Sequence, residues 1–168
     1  MDHAHPIQIA IVGGGAAGSL LAIQLLRQAP APFRILLIER SGECGRGVAY
    51  RTRCPQHLLN VPAGRMSAFP HVPDHFARWL KSHPTPTEAP LYSAGDFVPR
   101  HLFGQYLQQV LAEARADALP GVELEVIEAE IVDLGDHGES VTLQCRDGRT
   151  FTAERVVLAL GNLPGEYP

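Results

Sequence analysis

The residues best suited to do chemistry lie near the N-terminus, in the run Gly13-Gly14-Gly15-Ala16-Ala17-Gly18. It follows a short β-branched stretch, Ile7–Val12, and opens an apolar helical pattern from Ala16 to Gln28. A G-x-G-x-x-G run gains its meaning from that strand-to-helix setting. Gly13 permits the tight turn, Gly15 lets a pyrophosphate approach the backbone, and Gly18 lets the helix pack closely on the sheet. The free N–H groups and positive end of the helix, Ala16 and Ala17 included, then hold the phosphates without a lysine. A bare glycine turn is the competing reading, and the flanking strand and helix argue against it.

Glu39 closes the next strand, about 20 residues beyond the last glycine, where a carboxylate can accept hydrogen bonds from both hydroxyls of an adenosine ribose. The same charge would repel a 2′-phosphate, so NADP is disfavoured here. NAD and FAD both remain open on these residues alone.

Three elements position this chemistry. Ile7–Val12 and Phe33–Glu39 read as buried parallel strands, and Ala16–Gln28 carries Leu20, Leu21, Ile23, Leu25 and Leu26 as a broad apolar helix face. Pro30 and Pro32 stop the helix. Together they make one right-handed βαβ unit.

From Arg40 to Leu91 the periodicity fails, which marks an irregular insertion at the cofactor site, with one helix expected near Asp74–Ser82 and Asp74 as its N-cap. Pro99–Ala118 is an amphipathic helix. The strands expected after it are Val122–Glu128, Ile131–Leu134, Val141–Cys145, Arg149–Thr152 and Arg155–Leu160, with a hairpin at Asp147-Gly148.

The expectation is a single α/β, Rossmann-like domain over residues 1–168. Its parallel sheet centres on Ile7–Val12, between Phe33–Glu39 and the last strand, with Val122–Glu128 outside. The pieces between Ile131 and Thr152 form a small antiparallel meander.

Composition narrows the function classes. The chain has 168 residues, 45% hydrophobic and 19% charged, with a net charge of −4. With 14 basic against 18 acidic residues there is no electrostatic footprint for nucleic acid. No apolar run reaches the ~18 residues of a membrane span, and the first residues lack the basic region of a signal peptide, so a cytoplasmic location is expected.

Cys44, Cys54 and Cys145 are too widely spaced for a flavin-disulfide pair and are expected as reduced thiols. Cys54, His57 and His71 lack metal-ligand spacing, so no metal is expected. No catalytic acid or base stands out. His57, His71 and Tyr50 lie in the irregular segment, where lone side chains are usually solvated.

The strand, glycine turn, helix and strand closed by Glu39-Arg40 resemble the FAD signature of the two-dinucleotide-binding-domain flavoproteins. A more specific likeness is to the FAD-NAD(P)-binding family of bacterial flavoproteins. It rests on Arg46-Gly47-Val48-Ala49-Tyr50, on His57–Ser67 (HLLNVPAGRMS), on Phe97–Tyr106 (FVPRHLFGQY), on Asp147–Thr150 and on the closing Val156–Asn162.

The resemblance implies an FAD-dependent oxidoreductase, monooxygenase-like, or its cofactor-binding portion. A non-catalytic redox or regulatory module, or an NAD enzyme using this site, are the alternatives. It implies that the adenosine half contacts Gly13, Gly15, Ala17, Glu39 and Arg40, that the backbone near Glu130–Ile131 meets adenine, and that Gly161 returns to the FAD. Arg46 is expected on a phosphate, with Gly47 keeping the backbone close, and Asn60 and Met66 beside the isoalloxazine ring. No second glycine fingerprint exists, so any NAD(P)H reductant is expected to bind outside this chain, in a further C-terminal region of the same polypeptide.

Overall fold

In the computed structural model, which describes residues 7–83 and 92–162, alternation along the strands decides the architecture. Strands β1 (Ile7–Val12), β2 (Phe33–Glu39), β3 (Val122–Glu128) and β7 (Arg155–Leu158) form a parallel sheet in the order β3-β2-β1-β7. Ile11, Ile35, Leu37 and Leu124 point to one face, while Ala10, Val12, Leu36, Ile38 and Ile127 point to the other. Both faces are apolar because both are covered, as buried parallel strands require.

Helices α1 (Ala16–Gln28) and α4 (Arg100–Ala116) cover the first face. The second face carries a three-stranded antiparallel sheet, β4 (Ile131–Asp136), β5 (Val141–Cys145) and β6 (Thr150–Ala153), in the order β4-β5-β6. Leu143, Cys145 and Ala153 seal it against Ala10, Val12, Leu36 and Ile38.

Element ends shift from those expected. β4 runs on to Asp136, β6 starts one residue later, and β7 ends at Leu158, after which Ala159 continues along β1 by donating its N–H to Val12 O at 2.8 Å.

The segment after Glu39 holds more order than its periodicity suggests. It contains a one-turn helix α2 (Gly47–Tyr50), a 3₁₀ turn at Ala63–Arg65 and helix α3 (His75–Ser82). Long-range backbone bonds fix it. Leu59 N–H donates to Val98 O, Ala63 N–H to Asp96 O, Gly64 N–H to Ala94 O, and Arg100 N–H to His57 O. Residues 57–64 are thus zipped against 94–100. Residues 84–91 of the expected insertion lie outside the described residues.

Asp74 does occupy the N-cap position of α3, but its carboxylate makes no capping hydrogen bond and pairs with Arg78 at 3.5 Å instead. Its backbone, at φ −93° and ψ 9°, is not the extended one from which a cap side chain reaches the first N–H groups. Behind α3, Phe76 and Tyr106 are fully buried in an aromatic cluster with Phe103 and Trp79.

Candidate functional site

The carboxyl ends of β1, β2 and β3 lie side by side, and the candidate site is built on them. The turn after β1 leaves no room for side chains. A Cβ on Gly13, which sits at φ +104°, would run into the carbonyl of Ala159, and one on Gly18 would run into the carbonyl of Gly13. The two glycines serve the packing of the turn, against the end of β7 and against α1.

Gly15 is different. A Cβ there would only touch the Cα of Gly47, at 3.4 Å. The residue is half-buried, and no backbone is forced aside at the position its Cβ would take. Gly15 caps α1 without a side-chain hydrogen bond, and the first turn of α1 contains no acidic residue. Among the described residues, no side chain of its own first turn competes for the N–H groups at Ala16 and Ala17.

Glu39 is held in place by three donors. Gly14 N–H reaches Oε2 at 2.8 Å, while Ser41 N–H and Ser41 Oγ–H reach Oε1 at 3.2 and 3.0 Å. A Cβ on Gly14 would stand 2.8 Å from the Cβ of Glu39 and 2.9 Å from Cys44 Sγ, so this glycine makes the carboxylate's approach possible. Burial, and next the charge of Glu39, push the Cys44 thiol up to about 11, so it stays neutral beside the carboxylate at neutral pH.

The loop after β2 brings up the far wall. Arg40 is exposed, and Gly42 packs on Glu128, whose Oε2 lies 3.0 Å from where a Cβ would stand. Next to it, Arg146 forks onto Glu130 at 2.7 and 3.0 Å, which holds the Glu130 carboxyl below the usual carboxylate range, with a smaller pull from the charge of Arg40.

Arg146 N–H also donates to Glu130 O at 2.8 Å, across the Ile131–Cys145 pair. In an antiparallel ladder that pattern turns the N–H and C=O of Ile131 itself away from β5. β4 is the edge of its sheet, so these groups are not used by its ladder.

On the opposite side stands the segment that begins at Gly45. Gly47, at φ +53°, lies against Gly15, and Gly45 is anchored to the glycine turn. Gly45 N–H is shared between Gly14 O and Ser19 Oγ, both at 2.8 Å, and Ser19 Oγ–H donates to Gly14 O at 2.8 Å. Ser19 is completely buried. It is the link between turn and segment that sequence reasoning missed, and its one signal is a polar residue on the inward face of α1.

Arg46 is likewise engaged. Its Nε donates to Gln108 Oε1 at 3.1 Å, and its Nη1 lies 3.8 Å from Glu43, with no hydrogen bond from its other guanidinium donors among the described residues. Gln108, a second residue not foreseen, fixes Arg46 from α4.

The remaining expected residues are less tightly drawn in. Asn60 is exposed and makes no side-chain hydrogen bond among the described residues. Met66 is half-buried against the main core, so part of its side chain is committed to packing. Gly161 follows β7 at φ +67° with open space where a Cβ would stand. His57 bonds Thr52 at 2.7 Å, Cys54 donates to Gln56 at 3.0 Å, and His71 is exposed. All three cysteines are free thiols. Among the described residues no helix is long and apolar enough to cross a membrane.

The site thus presents an uncapped helix start with a bare glycine and a fixed carboxylate at the carboxyl ends of β1 and β2. Comparison with known proteins agrees. The chain is 30% identical over 176 residues to nitrosuccinic acid synthase npaA of Aspergillus oryzae, covering 96% of this chain and 26% of that protein. Among solved structures it is similar to a flavin-containing monooxygenase from Stenotrophomonas maltophilia, at TM-score 0.59 and 21% identity over 92% of this chain and 38% of that one. Tetracycline destructase Tet(51) shares the fold at TM-score 0.51 and 18% identity, over 93% of this chain and 39% of that one. The chain thus spans about a quarter of the curated relative and about two fifths of these solved chains. Residues 10–163 match the FAD-NAD(P)-binding family, and the chain belongs to it.

Proposed function

We propose that residues 1–168 act as one FAD-binding domain serving a flavin-dependent, monooxygenase-like oxidoreductase, with residues 40–91 as its cofactor-site insertion. The observation that carries this reading is the pairing of Gly15, at the uncapped start of α1, with a Glu39 carboxylate already held by Gly14 and Ser41.

In this reading the pyrophosphate sits on the N–H groups of Gly15, Ala16 and Ala17, near Gly13 and Gly18. Glu39 accepts from the adenosine ribose, Arg40 covers the adenine, and the outward N–H and C=O of Ile131 meet its edge. Arg46 donates to a phosphate and Gly47 leaves room for it. Asn60, Met66 and Gly161 lie toward the flavin ring. The flavin supplies two-electron redox chemistry when bound, and the protein's part is to hold, orient and shield it. NAD(P)H, as reductant, binds outside this chain. FAD is preferred over NAD because a flavin-containing monooxygenase shares the fold and the family resemblance runs through the flavin-side segment.

The test is the visible absorption spectrum and a titration with FAD. The protein should show the two flavin bands and bind FAD saturably. Gly15→Val, which puts a branched side chain in the pyrophosphate space, should abolish binding in a folded protein. Glu39→Ala should weaken it by at least about tenfold, since two hydrogen bonds to a charged acceptor are lost. Binding of NAD with no affinity for FAD would contradict the proposal.

A further inference from the structure

The hydrogen bonds on Glu39 leave too few places for a ribose. An ionised carboxylate offers about four acceptor positions, two on each oxygen. Three are already taken. On Oε2 there is Gly14 N–H at 2.8 Å, and on Oε1 there are Ser41 N–H at 3.2 Å and Ser41 Oγ–H at 3.0 Å. One position remains, on Oε2, whereas a ribose diol grasped through both hydroxyls needs two.

Of the three donors, two are backbone groups fixed by the fold. Gly14 lies in the glycine turn and cannot retreat, because Gly13 N–H is tied to Ile38 O at 2.8 Å and Gly14 O is tied to Ser19 and Gly45. Ser41 N–H belongs to a turn closed by Gly42 N–H on Glu39 O at 3.1 Å. Only the Ser41 hydroxyl is free to leave. It is exposed, it turns about a single χ1 bond, and its other contact is a long one, from Glu43 N–H at 3.3 Å.

Resting on the FAD reading above, we propose that the Ser41 hydroxyl is an internal stand-in for a ribose hydroxyl: it occupies Oε1 until the dinucleotide displaces it. Ser41 keeps the Glu39 carboxylate aimed while no ligand is bound. The first ribose hydroxyl takes the vacant position on Oε2 without competition. The second takes Oε1 and sends the serine hydroxyl to water. Ser41 therefore sets affinity for ligands that present a complete diol and leaves single-hydroxyl ligands nearly untouched.

The experiment titrates wild-type, Ser41→Ala, Ser41→Thr and Glu39→Ala protein with FAD and with FAD carrying a 2′-deoxyadenosine. Ser41→Ala should tighten FAD by about fivefold, the worth of one competing hydrogen bond removed. It should change the deoxy analogue by less than about twofold, and Ser41→Thr, which keeps the hydroxyl, should match wild type. Weaker or unchanged FAD binding in Ser41→Ala, or equal tightening of both ligands, would overturn the proposal. Normal FAD binding by Glu39→Ala would remove the ribose contact, and this proposal with it, while leaving FAD as the ligand. A wild-type protein that binds no FAD would overturn the parent reading as well.

Discussion

The glycine turn and the segment Gly45–Ser67 flank the same space but are built in opposite ways. In the turn, backbone meets backbone: Gly13 abuts Ala159, Gly18 abuts Gly13, and Gly13 N–H is bound to Ile38. Shape alone dictates residue type there. The segment packs this closely only in places, where Gly47 meets Gly15, Gly64 meets Ala94, and Leu59 and Ala63 enter the main core. It is pinned at intervals, by Ser19 on Gly45, by Gln108 on Arg46, and by the backbone bonds that zip 57–64 to 94–100. The turn is filled throughout, whereas the segment is largely exposed from Val48 to Leu58 and is held by packing at its two ends and by a handful of hydrogen bonds. A cofactor lying between them would find one wall ready and tighten the other.

Glycine replacements should separate the two most sharply. Gly18→Ala forces a Cβ into the Gly13 carbonyl, so it should cost about 3 kcal/mol or more, with loss of the cooperative thermal transition. Gly15→Ala meets only an ordinary contact at 3.4 Å and should keep the fold, with a melting temperature near that of wild type. If both variants melted alike, the contrast between packing glycine and ligand glycine would be lost.

Ser19→Ala cuts the link between the regions. It strips Gly14 O and Gly45 N–H of a buried partner, although these two still bond each other. A loss of about 1–3 kcal/mol in chemical denaturation is expected. Amide exchange should rise around Gly45–Tyr50 while β1 and β2 stay protected, and a uniform rise would show the segment to be part of the sheet's own cooperative unit.

Tyr106→Phe tests the far end of the same stretch. The Tyr106 hydroxyl accepts from Ala68 N–H at 2.9 Å and bonds His75 Nδ1 at 2.8 Å. Removing it should cost about 1–2 kcal/mol and loosen residues 67–73 without altering the glycine turn.

A smaller effect concerns pH. The Cys44 thiol is raised from 9.0 to about 11, so the folded state favours the neutral form. Its contribution to stability is complete below pH 9 and is lost as pH rises from 9 to about 11. Cys44→Ser should flatten that decline, and thiol labelling at pH 8 should reach Cys54, which is partly exposed, well before Cys44.

The same division governs what the sequence reveals. The unit β1-turn-α1-β2 is legible residue by residue because its signals are local: a β-branched run, glycines at fixed offsets, an apolar helix face, and a carboxylate at a strand end. Strand order followed from the rule for doubly wound sheets, which depends on chain handedness more than on side chains. α2 and the 3₁₀ turn were hidden because residues 94–100 fix that stretch from a distance, and no periodicity records such bonds. Asp74 takes the N-cap position that the sequence suggests, but its backbone there is not extended and its side chain makes no capping bond. Ser19 and Gln108 leave little local signal for a related reason. Each is one polar side chain whose partner is another loop, helix or strand end.

The claim that one FAD joins the two regions is tested most directly by amide hydrogen exchange with and without saturating FAD. Protection should rise at Gly15–Gly18 and, more strongly, across Gly45–Ser67, because the second wall has more freedom to lose. Equal exchange of Gly45–Ser67 in both states would contradict it and leave that segment as a connector beside the site.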